Sequence, residues 1–185
     1  MKDLLKFLKY ISKLKLTVRT GWKMHDVPGV KETIGSHSFG TAFIAWIMAK
    51  KVKVDVDRTV KMALIHDLLE GIIGDITPHD KNYRIKEILE KEAIIKLENL
   101  LPEELKVDVK NLIEELMNGK TKESQIVIQA DKLDTVFQAY LYEKEKYGKN
   151  IENSDLSEFF DSIEKVYKEG LSKQFLDYIK NLRGK

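Results

Sequence analysis

Residues 63–78 read ALIHDLLEGIIGDITP, and this stretch decides what the chain builds. Val60, Leu64, Leu68 and Leu69 recur at helical spacing, and Gly71 is placed to stop the helix. Into that apolar face the sequence sets His66 and Asp67 side by side. A carboxylate in an apolar run costs roughly several kcal/mol unless it is paired or bound to a metal. Glu70 falls one turn after His66, on the same face. Gly71 and Gly74 let the backbone turn sharply and carry Asp75 to the helix end. One short segment therefore delivers a histidine, two aspartates and a glutamate to one place.

The flanking sequence is helical in pattern nearly throughout. Leu4, Leu8 and Ile11 repeat at helical spacing, with lysines between them. Residues 20–35 contain glycine and proline and read as a loop. Ser36 is placed to cap a helix through Phe39, Phe43, Trp46 and Ile47, and Asp57 to cap the helix that carries His66. A charged helix is expected over 83–99, and another from Pro102 to a stop at Asn118 and Gly119. Ile128, Leu133, Val136, Phe137 and Tyr140 mark a helix over 124–146, and residues 157–168 and 172–182 complete the set. KVKVDVD alternates but is as easily a turn between helices. The expectation is one all-α domain over 1–185.

Two more apolar helices carry lone polar residues of ligand type. His37 opens the Phe39–Trp46 helix, and Asp131 sits in IVIQADKLDTVF. Two imidazoles and two carboxylates on three helices can converge on one cation inside a bundle. Mixed nitrogen and oxygen ligation suits Mn²⁺, Co²⁺, Fe²⁺ or Ni²⁺, and permits Zn²⁺ or Mg²⁺. Plainer readings stand beside this one. A lone His-Asp pair is usually structural, Asp131 can pair with Lys132, Glu70 can be a solvated helix-end carboxylate, and Asp75 an ordinary turn residue.

Composition narrows the function classes. A net charge of +2 gives no bulk electrostatic case for nucleic acid or a membrane as partner. The absence of cysteine excludes disulfides and thiolate chemistry, and suits a cytoplasmic setting. The start, MKDLLKFLKYISKLKL, is broken by lysines and lacks the unbroken apolar run of a signal peptide or a spanning helix.

RTGW at 19–22, ETIGSHS at 32–38, ALIHDLLEGIIGDITP at 63–78 and QADKLDTVFQAYLYE at 129–143 occur in this order. Together they resemble the 5′-deoxynucleotidases of the HD-domain superfamily, metal-dependent phosphohydrolases, across roughly residues 14–145. The resemblance implies an all-α HD-type bundle, usually a homodimer, that hydrolyses deoxyribonucleoside 5′-monophosphates with one divalent cation. It places His37, His66, Asp67 and Asp131 as metal ligands, Glu70 as the catalytic glutamate and Asp75 as an active-site aspartate. Trp22 matches a tryptophan that lies against the sugar, with a plain hydrophobic plug as its alternative. In bacterial members an arginine immediately precedes that tryptophan; here Arg19 is followed by Thr20 and Gly21, a form that resembles the eukaryotic and archaeal branch.

On this basis Arg19 is expected to bind phosphate. Lys81 is a second candidate, with a solvated surface lysine as its plain alternative. Glu70 is expected to act either on the attacking water or on the leaving 5′-oxygen. Two other functions remain open: cleavage of phosphodiesters or triphosphates, and metal-stabilised nucleotide binding without turnover. His79 can contact substrate, with an exposed loop histidine beside Pro78 as its plain alternative; His25 and the helices over about 150–183 have no assigned role.

Overall fold

The computed structural model describes residues 2–25, 27, 29–144, 156–164 and 170–184. The elements are α1 (Lys2–Leu16), α2 (Thr20–Met24), α3 (Ile34–Val52), α4 (Val56–Ile65), α5 (Glu70–Ile73), α6 (Lys86–Glu98), α7 (Glu103–Asn118), α8 (Lys122–Lys144), α9 (Ser157–Glu164) and α10 (Gly170–Arg183), with a 3-10 turn over Tyr83–Ile85 before α6. The expected continuations of α8 to Lys146 and of α9 to Lys168 lie outside the described residues. The fold is all-α, as the periodicity requires. Among the described residues the only sheet-like pairing is one antiparallel bridge between Val18 and Thr33. No described helix is long and apolar enough to cross a membrane.

α3 and α8 form the central pair, with α4 packed on both and α10 on α8. Ala42, Ala45, Met48, Met62, Ala63, Val127, Ala130 and Leu133 fill the space between α3, α4 and α8. Small alanines at the crossing let helix axes approach closely. A second core gathers Tyr10 and Leu14 of α1 with Ile34, Leu68, Leu97 and Ile113. A third joins Trp22, Val136 and Tyr142 to Phe160, Leu176 and Ile179 of the C-terminal helices.

Several boundaries differ from the sequence pattern. Thr33, not Ser36, caps α3; its hydroxyl accepts from Ser36 N while the Ser36 hydroxyl accepts from Thr33 N, a reciprocal capping box. Asp55, not Asp57, caps α4, accepting from Arg58 N. The expected loop over 20–35 contains α2. The helix over 83–99 starts as the 3-10 turn and becomes α-helical only at Lys86.

The most consequential difference is at α4, which ends at Ile65 rather than near Gly71. Beyond it the backbone tightens into turns: Leu68 N donates to Ile65 O at 2.9 Å and Glu70 N to Asp67 O at 3.0 Å. His66 Nδ1 bonds Ala63 O at 2.8 Å, so the ring folds back onto the helix end. His66 and Asp67 thus sit at a helix terminus, not in a helix interior. Apolar periodicity also overstated burial. Leu4, Leu8, Phe39, Phe43, Trp46 and Ile47 are exposed, and the buried faces run through Tyr10 and Leu14 on α1 and through His37, Thr41, Ala45 and Met48 on α3.

Candidate metal centre and substrate cavity

Four side chains meet around His37 Nε2. Asp131 Oδ1 lies 3.0 Å from it, His66 Nε2 3.3 Å and Asp67 Oδ2 3.7 Å, and His66 Nε2 is 3.1 Å from Asp67 Oδ2. Two atoms each about 2.1 Å from a shared ion lie roughly 3.0 Å apart at right angles and 3.4 Å apart tetrahedrally. The 3.0, 3.1 and 3.3 Å spacings fall in that range and the 3.7 Å between His37 and Asp67 lies just beyond it; His37, His66 and Asp67 are mutually close enough to share an ion, and Asp131 joins them through His37. Two imidazole nitrogens facing each other at 3.3 Å also need a cation or proton between their lone pairs.

The far side of each ring is fixed. His37 Nδ1 pairs with Asp134 Oδ2 at 2.7 Å, and His66 Nδ1 with the Ala63 carbonyl. Each Nδ1–H donates, so each Nε2 is left to face the cluster. Asp134 reaches His37 across Gly40: a Cβ at that position would lie 2.1 Å from Asp134 Oδ1. Gly71 allows a second close approach, since its Cβ would meet the Tyr10 ring at 2.6 Å. Tyr10 hydroxyl donates to Leu68 O, and Lys13 Nζ to Gly71 O at 2.6 Å, so α1 ties down the turn that holds His66 and Asp67.

Charge balance follows from this packing. Burial and Arg19 oppose protonation of His37, but its bonds to Asp131 and Asp134 win and push its pKa up to about 10. Burial works against ionised Asp67, yet the two histidines hold it down to about 2. Burial likewise opposes ionised Asp131, which His37 and Lys132 keep well below the ordinary carboxylate range. Glu70 goes the other way: burial, Asp67 and Asp75 push it up to about 9.

The cluster opens into a cavity of about 720 Å³ lined by Arg19, Trp22, Asp67, Glu70, Asp75, Lys86, Asp131, Lys132 and Thr135. Arg19 Nη1 donates to Glu32 Oε2 and to Thr135 Oγ1, both at 3.2 Å. Burial disfavours its charge, but Glu32, Asp131, Asp67 and Asp75 outweigh it. Trp22 is 1 % exposed, and its indole N–H donates to Glu32 at 2.7 Å, so this cavity wall is rigid. Asp75 accepts from Thr20 N while Thr20 Oγ1 donates to Asp75 O at 2.8 Å, tying the loop after α5 to the Arg19–Trp22 segment.

Lys81 is exposed and lies off this cavity; Lys86 and Lys132 line it. Glu32, Lys86, Asp134 and Thr135 escaped the sequence reading, as did a place for Lys132 on the cavity wall. Asp134 was legible in principle, being three residues after Asp131 and hence on the same helix face. Glu32 left no local signal, because its partners Arg19 and Trp22 lie across a loop.

An all-α bundle in which one histidine, an adjacent His-Asp pair and a distant aspartate meet at a cavity floor defines a class. Residues 11–175 match the family model described as HD domain, and the chain belongs to that family. Within it, the chain is 37% identical to 5′-deoxynucleotidase HDDC2 of Dictyostelium discoideum over 88% of both chains. It is 34% identical to the Homo sapiens protein of the same name, over 87% of this chain and 76% of the human one. In structure it is similar to a Pyrococcus horikoshii protein, with a TM-score of 0.75, 32% identity and 96% of each chain covered.

Proposed function

We propose that this chain is a metal-dependent 5′-deoxynucleotidase, releasing phosphate from deoxyribonucleoside 5′-monophosphates. The observation that carries this is the meeting of His37, His66 and Asp67 within reach of one ion, with Asp131 beside His37, next to a cavity that Asp67, Asp131, Arg19 and Glu70 line. The relatives named for that activity support it.

His37, His66, Asp67 and Asp131 would hold one divalent cation, and their mixed donor set suits Mn²⁺, Co²⁺, Fe²⁺ or Ni²⁺. A cation there supplies charge neutralisation at a phosphoryl oxygen and acidifies a coordinated water. Arg19, fixed by Glu32 and Thr135, donates charge-assisted hydrogen bonds to the phosphate. Lys86 and Lys132 add positive charge to the same wall. Burial, Asp67 and Asp75 push Glu70 up to about 9, which suits it to carry a proton at neutral pH. As water oxygen bonds to phosphorus and the P–O5′ bond breaks, that proton passes to the leaving 5′-oxygen, and a proton of the attacking water, carried on the released phosphate, restores the acid form of Glu70. Asp75 positions the Arg19–Trp22 segment through Thr20. Trp22, a wall with no freedom to move aside, excludes a ribose 2′-hydroxyl.

The test is phosphate release after chelation and add-back of single metals, with matched deoxy- and ribonucleoside 5′-monophosphates. Metal-restored turnover of the deoxy substrates is expected. Release from triphosphates or diesters alone would overturn the assignment. The exposed stripe of Phe39, Phe43 and Trp46 on α3 also supports a homodimer, the face being covered by a second copy. Phe43→Glu should then sediment as a monomer.

A further inference from the structure

Part of the cavity lining takes no part in the ligand cluster. It includes Met24, Pro78, His79, Tyr83, Glu158 and Phe159. Glu158 and Phe159 come from α9, in a part of the chain the deoxynucleotidase chemistry above does not use.

α9 is firmly seated. Arg183 of α10 donates through Nη2 to Ser157 Oγ at 3.0 Å and through Nε to Glu143 of α8 at 2.6 Å, and its guanidinium lies 4.2 Å from the Phe160 ring. Phe159 packs on Trp22 with ring centroids 4.6 Å apart, and Gly21 leaves it room, since a Cβ there would come within 3.3 Å of the Phe159 ring. The same ring meets His25 edge-on at 5.2 Å.

Glu158 bridges the two loops that form the cavity mouth. His25 Nε2, just after α2, lies 2.6 Å from its Oε1, and His79 Nε2, in the loop after α5, lies 3.6 Å from its Oε2. The His25 contact, beside the Phe159 ring, orients the carboxylate before any ligand arrives, while His79 stands close without a hydrogen bond to it. Each oxygen has two acceptor positions, so the histidines do not exhaust its capacity.

Phe159 packs on Trp22, so a nucleotide with its phosphate at the ligand cluster and its sugar beside Trp22 has α9 next along the cavity wall. We propose that α9 completes the nucleobase subsite, with Glu158 accepting hydrogen bonds from ring or exocyclic N–H groups of the base. This rests on the deoxynucleotidase reading and adds the part of the substrate that the metal centre does not read. An acceptor-only group rewards donors. Guanine offers N1–H and its amino group side by side; adenine and cytosine offer one amino group each. Thymine offers a single N3–H between two carbonyls that a carboxylate repels.

The test compares kcat/KM of the wild-type metal-loaded enzyme and Glu158→Gln across dGMP, dAMP, dCMP and dTMP. Loss of a charge-assisted acceptor should lower kcat/KM for dGMP relative to dTMP by roughly tenfold, mainly through KM. The base profile flattens. An equal loss on all four substrates would make Glu158 a prop for the mouth and overturn the inference, as would an unchanged profile. Either result in an active enzyme leaves the deoxynucleotidase reading standing. A wild-type protein that turns over none of the four overturns that reading and the inference with it.

Discussion

Asp134 Oδ2 lies 2.7 Å from His37 Nδ1, and that bond decides which ring nitrogen faces the ligand cluster. With Nδ1–H committed to Asp134, Nε2 presents its lone pair toward His66, Asp67 and Asp131. Asparagine at 134 can keep the contact but not the charge that makes the imidazole more basic. Asp134→Asn should weaken divalent-metal affinity about 10–100-fold, measured by competition against a chelating indicator. An affinity equal to wild type would remove Asp134 from the metal centre.

Gly40→Ala should produce the same defect without touching any ligand. Its methyl would occupy the space of Asp134 Oδ1, and so close an overlap forces the carboxylate away or spreads α3 from α8. Metal content after dialysis, read beside the thermal melt, checks this. Full metal occupancy with an unchanged melt would show that α3 and α8 adjust at no cost.

Metal binding should tighten as pH rises. In the metal-free protein His37 titrates at about 10, above the ordinary 6.5, so it carries a proton at neutral pH. A group raised on folding stabilises fully below its unfolded value. That contribution from His37 is therefore intact below about 6.5 and lost as pH climbs through about 10. A cation needs the neutral ring and must displace the proton. Calorimetry in buffers of different ionisation enthalpy should detect at least about one proton released per cation. No release would mean the ring is already neutral.

The sequence made the helices and the chemistry legible to different degrees. Asp131 and the His66-Asp67 pair stood out because charge in apolar sequence must be compensated. Glu32 did not, because a glutamate in a loop is unremarkable until Arg19 and Trp22 are seen to share it. Lys86 was obscured by many lysines of equal local appearance; only the fold brings the start of α6 to the cavity, where Lys86 Nζ donates to Ile76 O at 3.3 Å. Cap positions shifted by two or three residues, because Thr33 and Ser36, or Asp55 and Asp57, offer similar side chains. Periodicity also cannot tell an apolar stripe that faces the core from one that faces outward, as Phe39, Phe43 and Trp46 show.

Glu70→Gln should separate binding from turnover. The amide fills the same buried place but cannot hand over the proton that burial, Asp67 and Asp75 keep on the acid. kcat should fall by about 10²–10⁴ with metal affinity little changed. Single-turnover phosphate release checks it; retained turnover would exclude Glu70 from proton transfer.

Arg19 has two jobs that a single substitution confounds, and a second change in Glu32 separates them. The pair is nearly enclosed, with side-chain exposures of 18% and 7%. Arg19→Ala leaves Glu32 buried without its cation, a loss of about 3–5 kcal/mol by analogy with other broken buried pairs. Adding Glu32→Gln removes the stranded charge while an amide oxygen still accepts from the Trp22 indole. Denaturant melts should therefore show the double variant regaining much of the lost stability. Turnover should not return with it, because the phosphate still lacks the guanidinium. If kcat/KM recovers together with stability, Arg19 serves the fold alone and the phosphate is held by Lys86, Lys132 and the cation.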